Sequence, residues 1–152
     1  MKFLAIFSFL LLSLDCFSQQ NLVKQVIENE NLEWKKYCVY SEVEIDFRFE
    51  TCSNNQNEKW VVFRFTNLSK KAKSIHWNPI WSRDFDCVNC SNVSGREFDF
   101  TLMLDPNEVV SGESCASDSR LFMFSSFIKK YPGMDNKKMT EFQFTNVSVD
   151  NL

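Results

Sequence analysis

The residues with the most chemistry to offer in this 152-residue chain are its six cysteines. Five of them, Cys38, Cys52, Cys87, Cys90 and Cys115, follow an apolar leader. Cys87-Val88-Asn89-Cys90 has the spacing of a thiol–disulfide exchange site and of half a zinc ribbon. Exchange chemistry wants a thiol of lowered pKa. Here Asp84 and Asp86 flank the motif on one side and Asn89, Ser91 and Asn92 on the other, and carboxylates raise a thiol pKa. A zinc ribbon pairs two such units, and this chain has one. In an exported protein clustered cysteines default to disulfides.

Strand geometry sorts these cysteines in space. If residues 39 to 51 run as one strand, Cys38 and Cys52 sit about 40 Å apart, far beyond disulfide reach. Reversing direction at each connection brings Cys52, Cys87, Cys90 and Cys115 to one end. The expectation is two bridges, with Cys87 and Cys90 each going to a separate partner, Cys52 or Cys115, and Cys38 left over.

Other reactive residues are sparse. His76 is the single histidine and has no fixed Ser or Cys partner for a hydrolytic triad. Asp84 and Asp86 beside Asn89 and Asn92 lack the ordered spacing of a calcium loop. Glu42, Glu44 and Glu50 share one face of a strand, where carboxylates are most simply the solvated side. No cofactor or metal is expected. Four tryptophans, Trp34, Trp60, Trp77 and Trp81, exceed what a core of this size needs. Two or three on one face would form a platform for a partner protein or a sugar.

The elements that must position these groups read as strands. Val61, Phe63 and Phe65 alternate with Arg64 and Thr66 in a central strand over residues 60–67. Val43, Ile45, Phe47 and Phe49 alternate with Glu42, Glu44, Asp46, Arg48 and Glu50 in a half-exposed one. Further strands are expected over residues 74–81, where Pro79 ends the strand or marks a sheet edge, and over 97–104, 109–115, 120–128 and 142–149. A slip near Asn146 in the last fits a bulge. Residues 82–96 form the longest irregular stretch. Leu22, Val23, Val26, Ile27, Trp34 and Tyr37 fall at helical spacings, so residues 21–36 predict a short amphipathic helix.

Lys2 followed by the apolar run from Phe3 to Leu14 and the small Ser18 reads as a signal peptide over residues 1–18. Asp15 stands where a lipobox needs a small residue, which argues against lipidation of Cys16. Residues 19–37 then form an N-terminal segment and residues 38–152 the sandwich domain. No membrane span is expected after cleavage. The net charge of −3 and the lack of a basic patch argue against nucleic acid. Four Asn-x-Ser sequons, at Asn67, Asn89, Asn92 and Asn146, are explained by chance in so Asn-rich a chain.

Short strands without intervening helices predict an all-β fold, an antiparallel two-sheet immunoglobulin-like sandwich of about seven strands. The sequence Phe63-Arg-Phe-Thr-Asn67-Leu-Ser69, followed by a strand and Leu104-Asp-Pro-Asn-Glu108, resembles a layout of bacterial immunoglobulin-like domains, with Asn107 where Gly is usual. The leader, Ser18-Gln19-Gln20 and the Lys/Asn/Phe-rich body are similar to uncharacterised exported β-sandwich proteins of Bacteroidetes-type bacteria. That resemblance implies a periplasmic or secreted protein and carries no catalytic residues. The functional expectation is an interaction module for an envelope or extracellular protein, with a glycan second. Its surface would be the Trp77–Trp81 strand with the 82–96 loop, including Asp84 and Asp86. Two alternatives are a small protease inhibitor and a thiol–disulfide or metal-dependent enzyme using the Cys-x-x-Cys loop.

Overall fold

The computed structural model describes residues 20–92, 96–115 and 118–152. The signal-peptide reading falls on residues 1–18, outside the described residues. Among the described residues ten strands, rather than the expected seven or so, form two antiparallel sheets that pack face to face as a sandwich. One sheet contains β1 (Gln25–Val26), β10 (Met139–Asn151) and β5 (Lys73–Arg83), with β6 (Asp86–Cys87) and β7 (Phe100–Leu104) sharing the far side of β5. The other contains β2 (Lys35–Tyr40), β3 (Val43–Thr51) and β4 (Glu58–Asn67), with β8 (Val109–Ser111) and β9 (Phe122–Phe127) sharing the far side of β4.

The alternation in the sequence produces the core. Val43, Ile45, Phe47 and Phe49 of β3 and Val61, Phe63 and Phe65 of β4 face Ile75 and Trp77 of β5 and Phe142, Phe144 and Val147 of β10. The rings interlock: Phe63 meets Phe142 edge to face at 5.3 Å and tilts against Phe144 at 5.0 Å, and Phe65 tilts against Trp77 at 4.8 Å. Such pairs add about 0.5–1.5 kcal/mol each beyond their burial.

Residues 21–36 are not helical. Backbone bonds to β10 hold them extended, from Leu22 N to Phe144 O (2.8 Å) and from Ile27 N to Thr140 O (2.8 Å). The apolar spacing has another cause. Leu22 enters the core from the first sheet's edge, whereas Trp34 crosses to the second sheet's outer face, where Arg48 and Arg64 each stack 4.6 Å from its ring.

Residues 39–51 are likewise not one strand. Ser41 and Glu42 both take positive φ (45° and 66°) and turn the chain from β2 into β3. Cys38 therefore sits midway along the edge strand β2, opposite Ile45. The polar face of β3 is paired rather than bare: Asp46 holds Arg64 at 2.7 Å, and Glu44 and Glu50 meet Lys36 and Arg48. The expected bulge is present, since the β10–β5 register shifts between Thr145 and Ser148, with Asn146 at φ 52°. Asn107, where Gly was the usual residue, has φ 59°, a left-handed position that Asn tolerates better than other side-chain-bearing residues.

Candidate functional site

The site grows from an interruption in β5. On its far side β7 pairs only residues 73–77 and β6 pairs only Ser82 and Arg83, so Pro79 lies in the gap between the two. Asn89 occupies that gap. Its Nδ2 donates to Pro79 O (2.7 Å), its Oδ1 accepts from Trp81 N (3.2 Å), and Val88 N donates to Trp81 O (2.9 Å). Asn89 is only 2% exposed, although its neighbours Val88 and Cys90 face solvent.

Between β5 and β6 the chain reverses through Asp84 (φ 48°) and Phe85 (φ 66°). Both angles are left-handed, as in a type I′ turn, which favours Asn-Gly. A phenylalanine there is unusual, and its side chain is 77% exposed. The turn is braced from outside. Asp84 N donates to Lys138 O (2.8 Å), Lys138 N donates to Asp84 Oδ1 (3.1 Å), and Phe85 N donates to Thr140 Oγ1 (2.9 Å). Asp86 pairs with Lys137, and Arg83 pairs with Asp135 (2.7 Å).

Phe85, Trp81, Ile80, Cys87 and Cys90 line a shallow depression of ≈ 300 Å³. On the other side of Trp81, a second groove of ≈ 250 Å³ lies between Trp81 and Trp60, walled by Phe98, Phe100, Phe122 and Phe124. Trp60 meets Phe122 at 5.0 Å and Phe124 at 5.2 Å, and Trp81 meets Phe98 at 5.4 Å. Trp81 thus belongs to both depressions.

The structure corrects two expectations. The bridges are Cys52–Cys115 and Cys87–Cys90, so Cys87 and Cys90 bond to each other. Residues 84–90 fold back on the side of β5, and Cys52 instead meets Cys115 because Ser114 is anchored at the end of β3, through Ser114 N to Glu50 Oε2 and Ser114 Oγ to Thr51 O (both 2.9 Å). Trp77 is no surface residue: it is 0% exposed and stacks on Phe65 and Phe144. Of the expected tryptophan platform, Trp81 and Trp60 share a groove, whereas Trp77 and Trp34 pack elsewhere.

Cys38 carries a free thiol. Among the described residues, the one cluster with metal-ligand spacing is Cys52, Glu58 and Cys115, whose two sulfurs are consumed by a disulfide. His76 Nδ1 lies 3.3 Å from Thr101 Oγ1 and its Nε2 lies 3.1 Å from Asp99, both across the β5–β7 pair. Three of the sequons are engaged internally: Asn67 Nδ2 donates to Lys71 O, Asn89 Nδ2 to Pro79 O and Asn146 Nδ2 to Asn78 Oδ1.

The sequence does not single out Phe85, offers Asn89 only as a neighbour of Asp84 and Asp86 and as a sequon, and places Phe98 in a strand, whereas it lies in the short 3-10 turn Arg96–Phe98. Asp-Phe-Asp carries no turn signature, and a buried side-chain amide that substitutes for a strand has no periodicity. These features define a disulfide-bonded β-sandwich with an aromatic-lined face on one edge. No family model matches the chain, and no curated protein or solved structure is similar to it.

Proposed function

We propose that the protein is an exported binding module that docks another protein through the edge carrying Phe85 and Trp81. Two disulfides, and the absence among the described residues of any helix long and apolar enough to cross a membrane, are compatible with export. The observation that carries the reading is Phe85. Holding a bulky residue at positive φ costs on the order of 1–2 kcal/mol, and the residue buries little in return. Six interactions between residues 135–140 and the 83–86 turn hold that costly conformation in place. Strain maintained from outside to present an apolar ring fits an anchor that enters a partner's pocket. The charges beside it are paired, Lys24 with Glu141 and Lys137 with Asp86, so recognition there is apolar. A glycan would ask for more free polar groups than the groove beyond Trp81 provides.

Phe85→Gly tests this directly. Glycine suits the turn, so the variant gains about 1 kcal/mol of stability and loses the partner. A photo-crosslinking residue at position 85, in cells that export the chain, yields one dominant protein adduct, whereas a control at exposed Val39 on the other sheet does not. Competition by unlabelled wild-type chain, but not by Phe85→Gly, completes the expected result. Scattered adducts, a glycan adduct, or equal competition by Phe85→Gly would overturn it.

A further inference from the structure

The two disulfides are built for different work. Cys52–Cys115 spans 63 residues of sequence, its Cys52 end is 1% exposed, and closing so long a loop restricts the unfolded chain strongly. Cys87–Cys90 spans three residues, so it restricts the unfolded chain much less. Both of its cysteines are exposed, and its sulfurs border the depression floored by Ile80, Trp81 and Phe142. The fold also holds this loop by other means: the three hydrogen bonds from Val88 and Asn89 to β5 run through backbone and amide groups and do not involve sulfur. One polar contact does reach the bridge. Cys90 N–H points at Cys87 Sγ from 3.1 Å, a donor placed to stabilise negative charge on that sulfur.

We infer that Cys87–Cys90 is a thiol–disulfide exchange site for a peptide dithiol or disulfide lying in the depression beside Trp81 and Phe85, and that it cycles without unfolding the sandwich. In the reducing direction a partner thiolate attacks Cys90 Sγ. The S–S bond breaks with its electron pair on Cys87 Sγ, next to the Cys90 N–H. The partner's second thiol gives up its proton and attacks the partner sulfur of the mixed disulfide, expelling the Cys90 thiolate. Cys87 and Cys90 take up the two protons that the partner released. The partner dithiol is oxidised by two electrons, the bridge is reduced, and the reverse sequence oxidises the pair. Lys24 pairs with Glu141, Lys137 pairs with Asp86, and Asp84 accepts a hydrogen bond from Lys138 N, so the carboxylates noted in the sequence do not act on the thiols unopposed. This inference stands apart from the docking reading, because it rests on the bridge and its loop rather than on the Phe85 ring.

The test uses insulin as the disulfide substrate and dithiothreitol as the electron source. Wild-type chain accelerates insulin reduction roughly tenfold over the Cys87→Ser/Cys90→Ser double variant. Asn89 keeps that variant folded, with a far-UV circular dichroism spectrum matching wild type. No acceleration, or equal acceleration by the double variant, overturns the inference. A second measurement needs no variant. Limiting dithiothreitol followed by alkylation and mass analysis of wild-type chain should label Cys87 and Cys90 together while Cys52–Cys115 stays closed and the spectrum stays native. Reduction of both bridges only as the chain unfolds would sink the proposal.

Discussion

Asn89 Nδ2 donates to Pro79 O at 2.7 Å, so a side-chain amide from the Cys-x-x-Cys loop completes the side of β5 that neither β6 nor β7 covers. Asn89→Ala leaves Pro79 O and Trp81 N without these partners, a cost of about 1–3 kcal/mol when the groups stay buried. The global fold survives, since β10 still pairs the whole of β5. Hydrogen exchange at the Trp81 amide accelerates in the variant while the amides of β3 and β4 keep their protection; unchanged Trp81 exchange would refute the role assigned to Asn89.

Trp77 is fully buried, yet its Nε1 has no hydrogen-bond partner. Trp77→Phe removes an unpaired donor together with part of the ring, so it costs less than the lost volume alone suggests. Trp77→Ala opens a cavity against Phe65 and Phe144 and costs about 3–5 kcal/mol. Urea unfolding of the two variants measures the difference; a Phe variant as damaged as the Ala variant would mean that the indole nitrogen is satisfied after all.

Gly112 sits where a side chain has no room. A Cβ built there lies 2.4 Å from Leu121 O and 2.8 Å from Leu121 Cβ, while Gly112 N donates to Phe63 O at 2.8 Å. Gly112→Ala must push β4 and the turn at Leu121 apart, with a destabilisation of about 1–3 kcal/mol. A thermal melt indistinguishable from wild type would count against the close approach.

Alkaline pH weakens the fold. Burial, with a contribution from Asp46, pushes the Cys38 thiol from an ordinary value of 9.0 up to about 12, and burial pushes the Tyr37 hydroxyl up as well, against a hydrogen bond from Phe144 N that favours the phenolate. Both groups keep their protons in the folded state under conditions where the unfolded chain gives them up. Their stabilisation is complete below pH 9 and declines as pH rises from 9 towards about 12. Urea midpoints measured from pH 7 to 10.5 hold level and then fall, and Cys38→Ala flattens part of the fall. A midpoint that does not drop above pH 9 would contradict these burial effects. The same burial leaves Cys38 slow to alkylate in the native state.

The alternating strands were legible because one face of each meets the core, and that pattern located β3, β4, β7 and β10. The bulge at Asn146 could also be read, from the slip in alternation along β10, and the turn at Asn107 from the residue chemistry of Asp105-Pro-Asn-Glu108. What escaped was chain reversal without a turn signature. Ser41-Glu42 and Asp84-Phe85 both make left-handed turns with residues that do not announce them, so β2 was merged with β3, and β6 was lost in a loop. The disulfide pairing failed for that same reason: once Asp84 and Phe85 turn the chain back on β5, Cys87 can no longer reach Cys52. The 21–36 segment misled because its apolar residues serve both sheets, a pattern that happens to share the helical period.

Gln20 bridges to Val147, and Leu22 and Ile27 bond along β10, so the earliest described residues of the first sheet pair with its last strand. A growing chain cannot form that edge until β10 has emerged, so the segment carrying Gln20, Leu22 and Ile27 must wait for its partner. Contacts this distant in sequence favour slow folding. The second sheet holds no strand that depends on β10, so it can assemble first and offer the surface on which that edge closes.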